Sequence, residues 1–481
     1  MPTENNQSLR SHLVKALAKA GEYSSERGIW RFVSPARLIL FSFAAAIVVG
    51  TILLSLPASA RQGCLQLEDA LFTATSAVCV TGLVVVDTQN DLSRFGQGVV
   101  LALIQLGGLG IMTFSTFFLM MFRSARMARR NEEVLEDTLS GNSHNLRGLL
   151  FAVFKVVLLF ELWGFLLLYL LWKNHPGAHN PVWDSLFHSI SAFCNAGFST
   201  FSENLYRMKH NYAACTIIMF LIVAGGLGFF VLDSILYRPF HVRKGRRAYP
   251  LQTKVVLATS LTLIMGGALL FALFDGSHLI ADHGFAQGAF HALFQSVTAR
   301  TAGFNTVDFT RVTHLGIILI TALMFIGGSP GSAAGGIKTT TFAIIIFTLF
   351  GHLRNPEKHD VEMFHRRIPP FVVSRAFVIF ILASLAVVSI TVILTVTERR
   401  NMNMWPPGQE SSHRLLFEVV SAMGTVGLST GITSLLSIPG KLMITLTMFI
   451  GRLGPLTVGL ALVQRKKRAS YRYPEERMMV G

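Results

Sequence analysis

Long apolar runs alternate with short polar segments along most of the chain. A helix that crosses a bilayer needs about 20 apolar residues. Eight runs reach that length, the sixth with an interruption: Arg37–Leu56, Phe95–Phe122, Leu149–Trp172, Tyr212–Leu236, Thr253–Phe274, Thr313–Phe350, Phe371–Thr397 and Ile438–Gln464. Taken in order, the long runs form four pairs, and a shorter run lies between the two members of each pair: Leu67–Cys79, Pro181–Phe193, Gly284–Ala299 and Ser412–Met423. The pattern predicts four units, each made of a long helix, a short half-helix and a second long helix.

A glycine-containing tract follows each predicted half-helix. The tracts are Val80-Thr81-Gly82-Leu83, Asn195-Ala196-Gly197-Phe198, Thr301-Ala302-Gly303-Phe304 and Thr425-Val426-Gly427-Leu428. A Leu-Phe pair comes before each tract, and its Phe lies ten, ten, nine and ten residues before the glycine: Phe72, Phe187, Phe294 and Phe417. The glycines are 115, 106 and 124 residues apart. This regularity indicates a fourfold structural repeat.

The tracts have the composition that a cation pathway through a membrane requires. A cation crossing about 30 Å of hydrocarbon must exchange its water for equally polar groups. Backbone carbonyls serve this purpose without net charge, and glycine tolerates the irregular backbone that aims them inward. A preceding half-helix also points its partially negative end at the same place. We therefore predict that the first three residues of each tract bind the ion, in one four-walled selectivity filter.

The second long helix of each unit contains a further shared feature. Its quartets are Gly107-Gly108-Leu109-Gly110, Gly225-Gly226-Leu227-Gly228, Gly327-Gly328-Ser329-Pro330 and Gly451-Arg452-Leu453-Gly454. Glycine at these positions permits a kink or close helix packing. One quartet is ordinary for a membrane helix, whereas four in register favour a common position lining a pore.

Composition and charge place the chain in a membrane. It is 51% hydrophobic and 14% charged, whereas soluble domains have about 25% charged residues. Two thirds of the 42 Lys and Arg residues fall in segments 1–37, 123–147, 237–254, 351–375 and 465–481. This clustering in alternate loops follows the positive-inside rule and predicts cytoplasmic termini, with the tracts on the opposite side. The net charge of +16 therefore does not indicate nucleic-acid binding, and the four cysteines show neither zinc spacing nor a disulfide framework.

The third unit contains a break that we interpret as a gate. Residues 327–338 interrupt the apolar run, with Gly327, Gly328, Ser329, Pro330, Gly331, Gly335, Gly336 and Lys338 as the predicted gate residues. Proline and glycine break the helix, and the freed backbone groups must face protein or water. The alternative is a kink without a gating role. A phosphate-binding loop is unsupported, because the lysine comes one residue late and no strand precedes the segment.

Arg452 replaces the second glycine of the fourth quartet. Arginine at the centre of a membrane helix costs about 2.5–3.5 kcal/mol on insertion scales, so we expect it to face the interior. It either forms a positive barrier below the filter, which we favour, or pairs with a carboxylate such as Glu161. Arg300 is expected to brace the third tract from behind. Four acidic residues follow the tracts and either concentrate cations or form a solvated loop face: Asp87, Asp91, Glu203 and Asp308.

These motifs together resemble one family. The sequence TARTAGFNT, the glycine-containing second helices and the SPGSAAGGIKTTT loop are similar to the Trk/Ktr/HKT superfamily of potassium transporters, most of all to the Ktr membrane subunit and then to the Trk membrane subunit. The resemblance implies four M1-P-M2 repeats, potassium as the ion, and a homodimer on a cytoplasmic ring of nucleotide-binding regulatory subunits. The first and second tracts depart from the T-V-G-Y-G pattern of potassium channels, so some passage of sodium is also expected.

The expected fold is an all-α polytopic membrane protein in the plasma membrane of a prokaryote. Its predicted parts are a basic amphipathic N-terminus (1–34), four repeats (35–122, 149–236, 253–350 and 371–464) and a basic tail (465–481). The expected function is regulated potassium uptake, with nucleotide bound only by the partner subunit. A secondary cation symporter with a binding site is the alternative, but the repeats share one orientation, which argues against inverted repeats. An enzyme is not expected, because no nucleophile–base pair is present.

Overall fold

The computed structural model describes residues 35–126, 146–236, 249–354, 361–401, 405 and 412–454. Residues Ser42–Pro455 form one compact domain, which contains the four tracts and the residues around them. Met1–Phe41 and Leu456–Gly481 form a separate domain, and only its residues 35–41 are described. The predicted amphipathic N-terminus and basic tail therefore lie outside the described residues, as do most of the basic loops 123–147 and 237–254.

The first half of the chain forms seven helices within the described residues. They are α1 (Pro35–Leu54), α2 (Leu67–Val78), α3 (Arg94–Arg126), α4 (Leu146–Trp172), α5 (Pro181–Phe193), α6 (Tyr212–Leu227) and α7 (Phe229–Leu236). The start of α5 shows why the sequence folds this way. Pro181 occupies the first turn, where its missing N–H is harmless, and the Asn180 side chain accepts a hydrogen bond from the backbone of Trp183.

The second half continues with helices and one hairpin. The elements are α8 (Leu251–His283), α9 (Phe285–Thr298), α10 (His314–Phe325), α11 (Thr339–Arg354), β1 (Val361–Met363), β2 (Arg366–Ile368), α12 (Pro370–Thr397), α13 (Ser412–Gly424) and α14 (Ile438–Leu453). Strands β1 and β2 are antiparallel, with Val361 opposite Ile368. The predicted all-α class therefore needs one correction, a short hairpin inside the basic segment 351–375.

One predicted span is broken. The apolar run Tyr212–Leu236 was expected to form a single helix, but α6 and α7 meet at Gly228 with a bend of 107°. Gly228 has a φ of +84°, a conformation that a residue with a Cβ rarely adopts. A Cβ at this position would also lie 2.9 Å from the carbonyl oxygen of Pro330. The break therefore depends on a contact with the intramembrane segment of the third unit.

Within the described part of the chain, three helices are individually long and apolar enough to span a membrane, and the bent pair α6–α7 adds a fourth candidate. The three spans are Phe151–Trp172, Leu251–Gly276 and Pro370–Thr397. Only 17% of the most apolar window of α12 is buried. Exposed Leu385 and Val392 lie on its surface. An apolar surface of this kind is typical of a helix that faces lipid.

Packing between the elements follows a closed cycle. Helix α3 packs against α5, α6 against α9, α10 against α13, and α14 against α2. In each case the helix after one tract contacts the short helix that leads into the next tract, and the last contact returns to the first. The four phenylalanines of the Leu-Phe pairs lie within the short helices and are all fully buried: Phe72, Phe187, Phe294 and Phe417. This cycle brings the four tracts to one region.

Candidate functional site

The backbone of each tract is neither helix nor strand. The first residue of every tract has a positive φ: 55° at Val80, 58° at Asn195, 71° at Thr301 and 51° at Thr425. The third residue, glycine, is also positive: 88° at Gly82, 71° at Gly197, 76° at Gly303 and 91° at Gly427. A positive φ at a β-branched residue is a genuine outlier. Strain of this kind is concentrated at functional sites and persists only where the surroundings enforce it.

The N–H groups of the tracts donate back to their own short helices. The N–H of Thr81 donates to Ser76 O at 2.8 Å, and the same bond joins Val426 to Ser421 at 2.8 Å. The N–H of Gly82 donates to Ser76 Oγ at 3.1 Å. The equivalent bonds in the second and third tracts join Ala196 N to Ser191 O and Ala302 N to Thr298 O. Because the N–H groups of the tracts donate within their own repeat, the carbonyl oxygens of the tracts are left to contact other groups.

The four glycines form one closed ring. A Cβ atom added at any of them would lie within 3.0 Å of the middle carbonyl oxygen of the next tract. The pairs are Gly82 with Ala196 O, Gly197 with Ala302 O, Gly303 with Val426 O and Gly427 with Thr81 O. The fourth pair returns to the first tract. No side chain fits at these positions, so the centre of the ring is bounded by peptide groups.

The first glycine of each quartet permits a similarly close approach. A Cβ at Gly107, Gly225 or Gly451 would lie within 3.0 Å of the carbonyl oxygen of Val78, Phe193 or Met423, respectively. These oxygens belong to the last turns of the short helices α2, α5 and α13. The quartets therefore let the following helix pack directly behind each tract. Gly327 differs, because its neighbour is Gly335 of the intramembrane segment.

A buried polar residue follows each of the four repeated Phe residues, and little of this row is predicted from the sequence. The residue after each repeated Phe is Thr73, His188, Gln295 or Glu418, and all four are buried. His188 lies 2.8 Å from Ser199 Oγ, and Glu418 accepts from Ser429 Oγ at 2.8 Å. Gln295 reaches Thr306 Oγ1 at 3.4 Å. Each of these three contacts a residue just beyond its own tract; the shared position after Phe is the signal that could have revealed them.

Arg300 lies buried behind the third tract. Its guanidinium donates to Ser260 O at 3.4 Å and to Gly327 O at 3.5 Å. These oxygens belong to helix α8 and to the first residue of the intramembrane segment. Arg300 therefore lies between the third tract and the segment predicted to gate the pathway.

The intramembrane segment, residues 327–338, is an ordered loop between α10 and α11. Its ends are joined by a hydrogen bond from Gly327 N to Ile337 O at 2.8 Å. Within it, Lys338 Nζ donates to Ala334 O at 2.6 Å. Gly331 and Gly336 both have positive φ, 76° and 65°. The loop is therefore held in part by its own polar groups.

Two other units hold this loop in place. Ser329 N donates to Gly226 O at 3.0 Å, and Phe229 N donates to Gly331 O at 3.1 Å. These bonds attach the loop to the break between α6 and α7. A Cβ at Gly335 would clash with the side chain of the first residue of the fourth tract. The predicted gate residues thus lie between the second unit and the fourth tract.

Arg452 is buried and contacts both the loop and the first unit. Its guanidinium donates to Ala333 O and, at 2.8 Å, to Gly107 O. Glu161, the alternative partner considered from sequence, instead accepts from Gln105 Nε2 at 3.1 Å. Among the residues that the structure describes, peptide oxygens rather than a carboxylate therefore accept from the two terminal nitrogens of Arg452, and its Nε has no partner.

Comparison with known proteins identifies the family of this chain. The family model for TrkH, described as a cation transport protein, matches residues 39–471. The chain belongs to the TrkH cation transport family. The resemblance inferred from the tracts and the loop is thereby confirmed.

Members of the TrkH family with assigned names match almost the whole chain. The potassium/sodium uptake protein NtpJ of Enterococcus hirae is 37% identical over 93% of this chain and 98% of its own length. The Ktr system potassium uptake protein D of Bacillus subtilis is also 37% identical, with the same coverage. The Ktr system potassium uptake protein B of Vibrio alginolyticus is 35% identical over 92% of this chain and 94% of its own.

A solved structure shares the TrkH-family fold. The potassium transporter TrkH from Vibrio parahaemolyticus superposes with a TM-score of 0.70 at 18% identity, covering 91% of this chain and 87% of that one. At this identity the likeness establishes the fold alone. It supports a membrane protein built from helices in this order.

The acidic residues after the tracts make local contacts in the loops. Asp87 accepts from Gln89 N at 2.7 Å, and Asp308 accepts from Thr310 N at 2.9 Å. Arg207 pairs with Glu203 at 2.9 Å, and both side chains are largely exposed. This hydrogen bond lowers the pKa of the Glu203 carboxyl. The carboxylates therefore stabilise their loops, and a role in concentrating cations stays a prediction.

Proposed function

We propose that this protein is the ion-translocating subunit of a regulated potassium uptake system. Four M1-P-M2 units would surround one pathway, with potassium passing through the ring of tract carbonyls. The observation that carries the proposal is the closed ring, in which each tract glycine meets the middle carbonyl of the next tract. Peptide oxygens arranged in this way replace a hydration shell and release the ion again, because they have no net charge.

Buried hydroxyls add to the support for this filter. The Oγ1 atoms of Thr81, Thr301 and Thr425 are buried without a hydrogen-bond partner among the described residues. Buried polar atoms nearly always have a partner. A potassium ion held by the tracts would supply one, since a hydroxyl oxygen has two lone pairs that can face a cation. Sodium is a second cargo candidate, because the name of the relative NtpJ includes both ions.

Gating is assigned to the intramembrane loop together with Arg452. The loop lies between the second unit and the fourth tract, and Arg452 donates to its Ala333 O. A positive charge held there would repel cations below the filter. Opening the pathway would then require the loop to move and the contact to Ala333 to break. This account favours a gated pore over a symporter with a closed binding site.

The regulatory partner is expected on the cytoplasmic side. The basic segments between units, with the basic tail, form the proposed docking face for a nucleotide-binding ring, and the chain would act as a homodimer. The relatives named as Ktr system proteins fit such an arrangement, since a system has more than one component. Both termini would be cytoplasmic, in the plasma membrane of a prokaryote.

Potassium or rubidium uptake into cells that lack their own uptake systems tests the proposal. The critical variant is Gly303→Asp, which places a carboxylate in the ring, and we expect it to abolish uptake. Gly284→Asp is the matched control, because Gly284 has nearly the same φ, 78° against 76°, with nothing within 4 Å of an added Cβ. Uptake that survives Gly303→Asp, or is lost equally in Gly284→Asp, contradicts the filter assignment.

A further inference from the structure

Asn204 lies in the loop after the second tract, outside the tracts, the glycine quartets and the loop of residues 327–338. Its backbone has a φ of 55°, which asparagine tolerates better than most residues. The N–H of Asn204 donates to Phe201 O at 3.0 Å. The loop therefore turns sharply at Asn204 and holds its side chain in a defined direction.

The side chain reaches two tracts at once. Nδ2 of Asn204 lies 3.2 Å from Gly197 O and 3.4 Å from Gly303 O. These oxygens belong to adjacent glycines of the ring, in the second and third tracts. One amide group thus joins two of the four walls through the carbonyls that the filter proposal assigns to the ion.

The other end of the amide has no such contact. Oδ1 of Asn204 is buried without a hydrogen-bond partner among the residues that the structure describes. Buried polar atoms nearly always have a partner, because leaving one unpaired is unfavourable. Because Oδ1 and Nδ2 are bonded to the same carbon, this oxygen also lies close to the two peptide oxygens. A cation at the rim of the ring would find a neutral oxygen there.

We propose that Asn204 determines ion specificity at the rim of the ring, an inference that rests on the proposed function. Its Nδ2 fixes the positions of Gly197 O and Gly303 O, and so fixes two walls of the outermost ion position. Its Oδ1 provides a neutral ligand for a monovalent cation at that rim. Gly82 and Gly427 have no equivalent amide donor among the described residues, so the rim differs between its two halves.

Two substitutions separate the amide from the loop. Asn204→Gly removes the amide and keeps a residue that adopts a positive φ without strain. Asn204→Asp keeps the shape of the side chain, but an ionised carboxylate only accepts hydrogen bonds and cannot hold the two carbonyls. Ser202→Ala is the matched control, since it removes a hydroxyl of the same loop that bonds to Asp87 and Asn90 rather than to a tract glycine.

The readout is the concentration of K⁺ and of Na⁺ that gives half-maximal uptake, with the amount of protein in the membrane measured in parallel. We expect Asn204→Gly to lower the preference for K⁺ over Na⁺ at least about threefold. Asn204→Asp should lower the same preference and reduce the half-maximal concentration of both ions, because it adds a negative charge. Ser202→Ala should keep the wild-type preference.

The outcomes separate this inference from the proposed function. Wild-type uptake of K⁺ with an unchanged preference in both Asn204 variants would overturn the role of Asn204 and leave the filter standing. A change of equal size in Ser202→Ala would assign the effect to the loop and also overturn it. Absence of K⁺ uptake by the wild type would overturn the proposed function, and this inference with it. If Asn204→Gly fails to accumulate, Asn204→Asp decides alone.

Discussion

Replacing Gly427 by alanine would displace one wall of the ring by a small and definable amount. The added Cβ would lie within 3.0 Å of Thr81 O in the neighbouring tract and 3.0 Å from the Cα of Gly82. Carbon and oxygen in close backbone contacts are normally about 3.3–3.6 Å apart. The first and fourth tracts must therefore separate by roughly 1 Å or slightly more.

The energetic effect of this movement can be estimated. For unit charges at an effective dielectric constant of about 20, an increase in distance from about 3 to about 4 Å weakens the attraction by about 1.4 kcal/mol. A peptide oxygen has only a fraction of a unit charge, but the oxygens of two tracts move together. A loss on the order of 1 kcal/mol follows, which corresponds to roughly a fivefold change in uptake or in preference for K⁺ over Na⁺.

A second glycine four residues later provides the control. Gly431 has a φ of 90°, against 91° at Gly427, but an added Cβ there meets nothing within 4 Å. Alanine at either position pays the same left-handed backbone cost, about 1–2 kcal/mol. K⁺ uptake, K⁺/Na⁺ preference and thermal stability in detergent are compared for both variants. Wild-type preference in Gly427→Ala, or an equal loss in Gly431→Ala, would refute the assignment of these carbonyls to the ion.

Two further predictions concern Arg452 and Glu418. Arg452→Ala removes the positive charge that contacts Ala333 O and Gly107 O, so K⁺ uptake should rise. Arg452→Lys keeps the charge, so its K⁺ uptake should stay closer to that of the wild type. Equal uptake in all three proteins would show that Arg452 only braces the loop. Glu418→Gln replaces one of the two accepting oxygens by an NH₂ group, which then faces either the donor Ser429 or the donor Thr433. This change should destabilise the protein by about 1–3 kcal/mol, measured as a lower unfolding temperature. Glu203→Gln on the exposed loop should leave that temperature nearly unchanged, because exposed ion pairs contribute about 0–1 kcal/mol.

The sequence predicted the local elements well because their signals are local. The short helix Pro181–Phe193 has the same bounds in the structure, since Pro181 marks its start and the tract marks its end. The quartet at Gly225–Gly228 indicated that a kink was possible, but the sharp break at Gly228 could not be located in the same way. The apolar pattern runs on through it, and the bend depends on Phe229 N donating to Gly331 O, more than 100 residues later in the chain.

Contacts between different repeats also could not be predicted from the sequence. Arg452 was recognisable as an interior charge, but two roles were open, a positive barrier below the filter or an ion pair with a carboxylate. Only the fold places Ala333 O and Gly107 O beside it. Asn204 gave no signal, because an asparagine in a polar loop is ordinary. Its importance comes from the two glycine carbonyls within reach, and these belong to different units.

The four tracts are continuous parts of one polypeptide, and the buried residues that follow their repeated Phe residues differ: Thr73, His188, Gln295 and Glu418. A substitution therefore alters a single quadrant, whereas in a channel assembled from identical subunits it would alter all four at once. Selection can therefore change one of the four walls at a time. One wall can alter the preference between ions while another keeps its affinity for the ion. The same property lets an experimenter vary the quadrants one by one and learn whether their effects add.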